Sequence, residues 1–300
     1  MFTYIFAGWK RLNKECVALR RMEETMRATK GQRIVSTIVL MLFVILCIAP
    51  LSLTVLNSFK KSAEITRNPL SVSFSAGLEN YRRAWKYGRF MNGFINSIKL
   101  SLSAILTALT GAVLAAYVIA NKKVRGTSII TVYFLVAMTI PFQLFLVPLY
   151  SMFAKYGLLG NHYAVGMIIG ACNLPFSVTL MRTFFLGVPR ELEEQARIDG
   201  AGTWQVIRRV ILPVISPGII TVAIIVGLNS WNEYLLTATF LMGEKNFTAT
   251  MGMLSLISVN LTDPGTNLAG AVILIGPALA FFLVMQKYFI EGMVSGSVKG

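Results

Sequence analysis

Six stretches of this chain run 22 residues or longer without Asp, Glu, Lys or Arg: 34–59, 100–121, 126–154, 156–181, 210–232 and 264–286. A bilayer core of about 30 Å is crossed by about 20 helical residues, so each run is long enough to span. Inside lipid, every backbone N–H and C=O must be paired within the protein, which leaves helices or a closed barrel. The runs lack barrel alternation. The chain therefore reads as all-α and polytopic, with six transmembrane helices at about 34–56, 95–119, 128–150, 163–181, 212–231 and 268–288. A seventh run, 246–262, has 17 residues and includes Asn246, Thr248, Thr250, Ser255, Ser258, Asn260 and Thr262. It is short and polar, and reads as interfacial or re-entrant. Only 14% of the chain is charged, against about 25% for a soluble domain, which excludes a soluble enzyme or a disordered chain.

The formal charge is +15, from 28 Lys+Arg and 13 Asp+Glu. On a soluble protein this would suggest nucleic acid; hydropathy removes that reading, and the charges report orientation instead. With the N-terminus cytoplasmic, inside segments hold eighteen basic residues and outside segments nine, with Lys99 near the outer end of the second span. The positive-inside rule then places both termini in the cytoplasm. Lys60, Lys61, Arg67, Arg82, Arg83, Lys86 and Arg89 dissent, in the first outer loop. The length of that loop and packing on a partner protein are the expected reasons.

Residues 1–33 form a basic extension, read as solvated in the cytoplasm or as a surface helix using Phe2, Tyr4, Phe6 and Trp9. Met1–Trp9 is apolar with no basic segment before it, so it is not a signal peptide. Cys16, Cys47 and Cys172 are odd in number and form no metal or disulfide pattern. His162 stands alone in a short polar loop. Pro50, Pro141, Pro148, Pro175, Pro217 and Pro277 punctuate the apolar runs, for movement or simply for packing.

The segment 188–213, VPRELEEQARIDGAGTWQVIRRVILP, carries the most information. Pro189 suits a helix start. Glu191, Glu193 and Glu194 follow where carboxylates favour the helix dipole, and Glu193 can meet Arg197 at i,i+4. Asp199, Gly200 and Gly202 end the helix in a tight turn. A second helix from near Thr203 leads back to the bilayer. The residues alone leave two readings open: a docking element for something cytosolic, or an ordinary interfacial helix.

This segment resembles the EAA motif of ABC-importer permeases. Glu194-Gln195-Ala196 is followed by three residues and Gly200, then nine residues, Val210, Ile211 and Leu212-Pro213. Gln195 and Val210 depart from that pattern. Leu78-Glu79-Asn80-Tyr81, Asn96-Ser97, Ser230-Trp231-Asn232-Glu233-Tyr234 and the tail from Gln286 are similar to landmarks of maltose-type (MalG-like) carbohydrate permeases. The resemblance runs from about residue 34 to the last residue.

The resemblance implies a type I importer permease fold with a domain at 34–290 and a cytoplasmic tail at 291–300. It implies half of a translocation pathway in a bacterial or archaeal cytoplasmic membrane. Partners would be membrane lipid, a second (MalF-like) permease, a homodimer of cytosolic ABC ATPases and an extracytoplasmic solute-binding protein, with no nucleic acid. ATP and Mg would be bound by the ATPase; this chain has no Walker A loop, no cofactor, no metal site and no catalytic residue of its own. Glu194, Gln195, Ala196, Asp199, Gly200, Leu212 and Pro213 would carry ATPase coupling: an acidic contact, a small Ala for close approach, a turn and a link to the span. Gly296, Lys299 and Gly300 match a tail that reaches the ATPase. Intramembrane polar groups are candidate solute contacts, here Asn173, Asn229, Trp231, Asn232, Glu233 and Tyr234. The alternatives are a permease for a non-sugar solute such as a glycerophosphodiester, or a stand-alone secondary transporter.

Overall fold

The computed structural model describes residues 30–120, 125–259 and 263–297, and every regular element among them is helical. Nearly all of the predicted extension 1–33, including Met1–Trp9 and Cys16, lies outside the described residues.

Two compact units meet between Thr54 and Val55. The first holds most of helix α1 (Lys30–Ser58), whose side chains from Ile34 to Ser52 are all exposed. An apolar helix exposed all round is one solvated by lipid or by protein. The second unit carries α2 (Ser62–Arg67), α3 (Glu79–Tyr87), α4 (Phe90–Ala120), α5 (Thr127–Ala137) and α6 (Leu146–Lys155). It continues with α7 (His162–Leu186), α8 (Arg190–Ile198), α9 (Thr203–Val214), α10 (Ser216–Asn232), α11 (Leu235–Phe240), α12 (Ala249–Val259) and α13 (Pro264–Ser297).

The second unit is organised around α4 and α7. Leu100, Ala104, Ala108, Ala112 and Ala116 recur every fourth residue, which places them on one stripe of α4, and none has exposed surface. Facing that stripe, α7 presents Gly166 and Gly170. A Cβ on Gly166 would lie 2.5 Å from the Leu100 carbonyl oxygen, and one on Gly170 2.6 Å from that of Ala104. The backbones are therefore too close for any side chain. Lipid removes the hydrophobic drive between helices, so close van der Waals packing through small residues has to hold them. Ser103 Oγ adds a hydrogen bond to the Tyr163 carbonyl at 2.7 Å.

Among the described residues four helices are long and apolar enough to cross a membrane unbroken, and two bent pairs raise the number to six if each is one span. Two of the predicted spans contain these bends. The third, 128–150, is two helices at 85° rather than one. Pro141 is extended there (φ −64°, ψ 120°) and opens a 3-10 turn, Phe142–Phe145; without an N–H, proline cannot continue the helical ladder. The fifth, 212–231, crosses a bend of 77° between Thr203–Val214 and Ser216–Asn232, and the two helices are long enough to span only as a pair. Pro217 sits in the first turn of α10, where its missing N–H costs nothing. The run 246–262 contains an 11-residue helix, α12, too short to span, with Ala249, Met251, Gly252, Met253 and Leu256 buried. His162 is the first residue of α7 rather than a loop residue, and its Nε2 lies 3.0 Å from the Asn246 carbonyl.

Three of the seven dissenting basic residues are held by this chain itself. Lys60 has no exposed surface, and its Nζ donates to the carbonyls of Pro69 (3.2 Å) and Asn68 (3.4 Å). Arg83 pairs with Glu79 at 3.1 Å and Asp263 at 3.6 Å, and Arg89 pairs with Glu244. Lys61, Arg67, Arg82 and Lys86 stay exposed. Asp263 also caps α13, accepting from Thr266 Oγ1 (2.7 Å) and from Ser62 Oγ (2.6 Å). Burial pushes its pKa up, but the hydrogen bonds from Ser62 and Thr266 and the charge of Arg83 outweigh this and leave it below the usual range.

Two outcomes follow. Gly166→Leu should cost about 1–3 kcal/mol or more by overpacking, read as a lower Tm of the purified protein; an unchanged Tm would refute the close approach. A carboxylate with a depressed folded pKa stabilises above its unfolded pKa and loses that effect as pH falls through the folded value. Asp263→Asn should therefore lower Tm near neutral pH, with the gap to wild type closing as pH drops below about 4.

Candidate functional site

The segment joining α7 to α10 is set by its two ends. Pro189 stands ahead of α8 in an extended conformation (φ −59°, ψ 133°), and Glu191 and Glu193 occupy the first turn, where they face the positive end of the helix dipole. At the other end Gly200 has φ +83°. Its N–H donates to the Arg197 carbonyl (3.1 Å), and the Ala201 N–H reaches back to the Ala196 carbonyl (3.0 Å). This pair of bonds around a left-handed residue is the Schellman stop. A Cβ at Gly200 would meet nothing within 4 Å, so the requirement for glycine is one of backbone conformation alone. Ala196 and Ala201 bracket the stop and pack against the main core. The small size of Ala196 thus serves packing within this chain. Asp199 is the last residue before the turn, its N–H donating to the Gln195 carbonyl at 3.0 Å.

The inward face of α8 is tied to α4. Glu193 Oε1 accepts from Arg197 Nη2 at 2.8 Å and from Tyr117 Oη at 2.9 Å, and Arg197 Nη2 also donates to Tyr117 Oη at 3.3 Å. The hydrogen bond to Glu193, followed by that to Tyr117, pushes the Arg197 pKa up from its ordinary value. The Glu193–Arg197 pair was legible as an i,i+4 spacing. Tyr117 was not, and its one sequence signal is a phenol near the C-terminal end of an Ala-rich span. The outward face consists of Glu191, Glu194, Gln195 and Ile198, at i, i+3, i+4 and i+7, all exposed. Ile198 is 84% exposed, an unusual position for an apolar side chain on a charged helix.

Beyond the stop, Gln205 Oε1 accepts from the Gly202 N–H at 2.9 Å and starts α9. Residues Ile207–Ile211 widen into a π turn, closed by the Leu212 N–H on the Ile207 carbonyl. Pro213 follows; it has no N–H for the Arg209 carbonyl and crowds it, and a π turn relieves such crowding. Leu212 packs on the core while Pro213 is exposed. The chain thus runs from α8 through a stiff turn into α9 and bends into α10. A cavity of about 530 Å³ opens beside α8, lined among others by Tyr117, Arg182, Phe185, Arg190 and Glu194.

Of the candidate solute contacts, Asn173 and Asn229 pair with each other and the rest make separate contacts. Asn229 Nδ2 donates to Asn173 Oδ1 at 2.8 Å, linking α10 to α7. Asn232 Nδ2 donates to the Leu228 carbonyl one turn back (2.9 Å), and Glu233 Oε1 accepts from the Leu236 N–H (2.8 Å). Trp231 stacks on Phe94 at 5.8 Å, and Tyr234 is exposed. Asn173 and Asn229 are brought together; the other candidates do not join their network. In the tail, Gly296 lies in the last turn of α13, and Lys299 and Gly300 lie outside the described residues.

Residues 89–293 match the family described as binding-protein-dependent transport system inner membrane component. The chain belongs to that family. This permease is 34% identical to the probable ABC transporter permease protein YurM of Bacillus subtilis, over 87% of each chain. It is 30% identical to the arabinooligosaccharides transport system permease protein AraQ of Halalkalibacterium halodurans, over 85% of this chain and 92% of that one. It is 31% identical to the diacetylchitobiose uptake system permease protein NgcG of Streptomyces coelicolor, over 87% of each. Its fold matches a chain of a bacterial ABC transporter that imports the acidic polysaccharide alginate, with a TM-score of 0.70 at 23% identity, covering 87% of this chain and 99% of that one. The permease is therefore a membrane-embedded component of a transport system, with an ABC-importer permease fold.

Gly200→Val should destabilise the left-handed stop by about 1–2 kcal/mol and raise hydrogen exchange along 190–201 while leaving α4 and α7 protected. Wild-type exchange in this variant would remove the turn from the account of α8.

Proposed function

We propose that this permease forms half of the pathway of an ATP-driven carbohydrate importer and that α8 couples it to a cytosolic ATPase. The observation that carries the coupling reading is the division of α8 into two faces. The inner face is fastened to α4 through Glu193, Arg197 and Tyr117, so a push on α8 is delivered to a span. The outer face offers Glu191, Glu194, Gln195 and Ile198 to solvent. Its partner would be a groove with basic groups for the carboxylates and an apolar pocket for Ile198. Asp199 and Gly200 fix the helix end, and Leu212-Pro213 stiffen the return to α10.

ATP and Mg would be bound and hydrolysed in the ATPase, so this chain binds and moves but does not catalyse. Closing an ATPase dimer would bias an inward-facing to outward-facing equilibrium through contacts that differ between the states. A second permease, an ATPase dimer and an extracytoplasmic binding protein complete the assembly, in the cytoplasmic membrane of a bacterium or archaeon with both termini inside. The names of the relatives, arabinooligosaccharides and diacetylchitobiose among them, support a carbohydrate as cargo. The Asn173–Asn229 amide pair, with unused donors and acceptors, is the group in the spans best suited to sugar hydroxyls. The reach of Gly296, Lys299 and Gly300 to the ATPase belongs to the same proposal.

Glu194→Ala and Ile198→Asp should each cut binding-protein-stimulated ATPase activity of the reconstituted transporter at least tenfold while the protein still inserts and assembles. Wild-type stimulation in both would reject the outer face as the contact. Uptake of labelled arabinooligosaccharides, chitobiose and maltodextrins into proteoliposomes tests the cargo, and uptake of none of these or any other saccharide would reject carbohydrate.

A further inference from the structure

The cavity beside α8 is not needed for docking on the outer face, and it contains an unmatched charge. Its walls come from the cytoplasmic ends of α4 and α7, the inner face of α8, and Ile211 of α9. Arg182, about one turn before the end of α7, lines the cavity, and its Nε is enclosed with no hydrogen-bond partner among the described residues. Leaving a donor of a charged group unsatisfied away from water is costly, so Arg182 is a side chain that gains from an anion placed beside its guanidinium in the cavity it lines. The other charges of the cavity do not supply one. Glu193 is already taken by Arg197 and Tyr117, which leaves Arg182 and Arg190 against Glu194, exposed on the rim. The surplus is one positive charge.

We propose that this cavity binds a phosphate-ester anion, held by Arg182 and Arg190. A guanidinium matches phosphate oxygens through paired N–H donors. The volume, about 530 Å³, exceeds what an inorganic ion fills, and Phe185, Leu186, Val188 and Ile211 give the site an apolar wall that suits the body of an ester. The cavity lies where the apolar run of α7 ends. An anionic phospholipid of the inner leaflet can therefore reach it from the membrane, and a soluble phosphate ester can reach it from the cytoplasm. Either occupant bridges α7 to α8, so it would stiffen α8 and change how strongly the ATPase responds. The proposal holds whichever solute is carried and whether or not the outer face of α8 is the ATPase contact.

The test uses the complete transporter, in nanodiscs of phosphatidylcholine with or without phosphatidylglycerol, and in detergent with glycerol phosphate or inorganic phosphate. Native mass spectrometry and Tm read binding directly. Retained phosphatidylglycerol with a raised Tm assigns the site to a lipid headgroup, and a Tm rise with glycerol phosphate alone assigns it to a soluble ester; both support the proposal. Arg182→Gln should abolish the shift, Arg182→Lys should restore part of it, and Arg190→Gln, an exposed change with little bearing on folding, should reduce affinity at least fivefold. No shift with any of the phosphate compounds, or a shift that persists in both glutamine variants, overturns the proposal. A response to inorganic phosphate as strong as to the esters overturns the part played by the apolar wall.

Discussion

The approach of α4 and α7 is the constraint on which the rest of the second unit depends. Two backbones lie so close that carbonyl oxygens of Leu100 and Ala104 occupy the space of a Cβ on Gly166 and Gly170. In water such a contact would be one of many that bury apolar surface. In lipid it has to hold without the hydrophobic effect, through the number of atoms brought to van der Waals distance. The same contact fixes where the C-terminal ends of the two helices stand. Tyr117 and Ala120 at the end of α4, and Arg182 and Phe185 near the end of α7, frame the cavity and receive α8. Through Glu193, Arg197 and Tyr117, α8 is fastened to α4 of this pair of helices.

The segment from Pro189 to Pro213 is built by ordinary local chemistry. A proline precedes α8, carboxylates occupy its first turn, and a left-handed glycine closes it. None of these requires a partner. The exposure of Ile198 and the orphaned Nε of Arg182 have no local explanation. The first lies on the face turned to solvent and the second inside the cavity, so α8 has two surfaces with two different demands.

Much of the site was legible in the sequence because it depends on neighbours along the chain. The Glu193–Arg197 spacing, the Asp199-Gly200 stop and the Leu212-Pro213 link are all set within a few residues of each other. The stripe Ala104, Ala108, Ala112 and Ala116, together with Gly166 and Gly170, was equally present as a four-residue repeat of small residues. Read singly, each is only an unremarkable member of an apolar run. Their meaning as a helix contact requires knowing that the two stripes face each other.

The sequence by itself determined that this chain lives in a membrane, that its elements are helices, and that one loop carries a short helix with carboxylates in its first turn and a glycine stop at its end. Those conclusions follow from charge-free length, from backbone hydrogen bonding in lipid and from the conformations open to proline and glycine. Only the tertiary structure decided that the third and fifth apolar runs bend by 85° and 77°, that Ala196 faces inward and that Tyr117 completes the Glu193–Arg197 pair. It also accounted for Lys60, Arg83 and Arg89, which looked misplaced by the positive-inside rule and are held by carbonyls and carboxylates of this chain. For Tyr117, Arg83 and Arg89 the physical reason is the same: a side chain acquires its role from groups dozens or hundreds of positions away, and sequence order carries no record of which distant groups become neighbours.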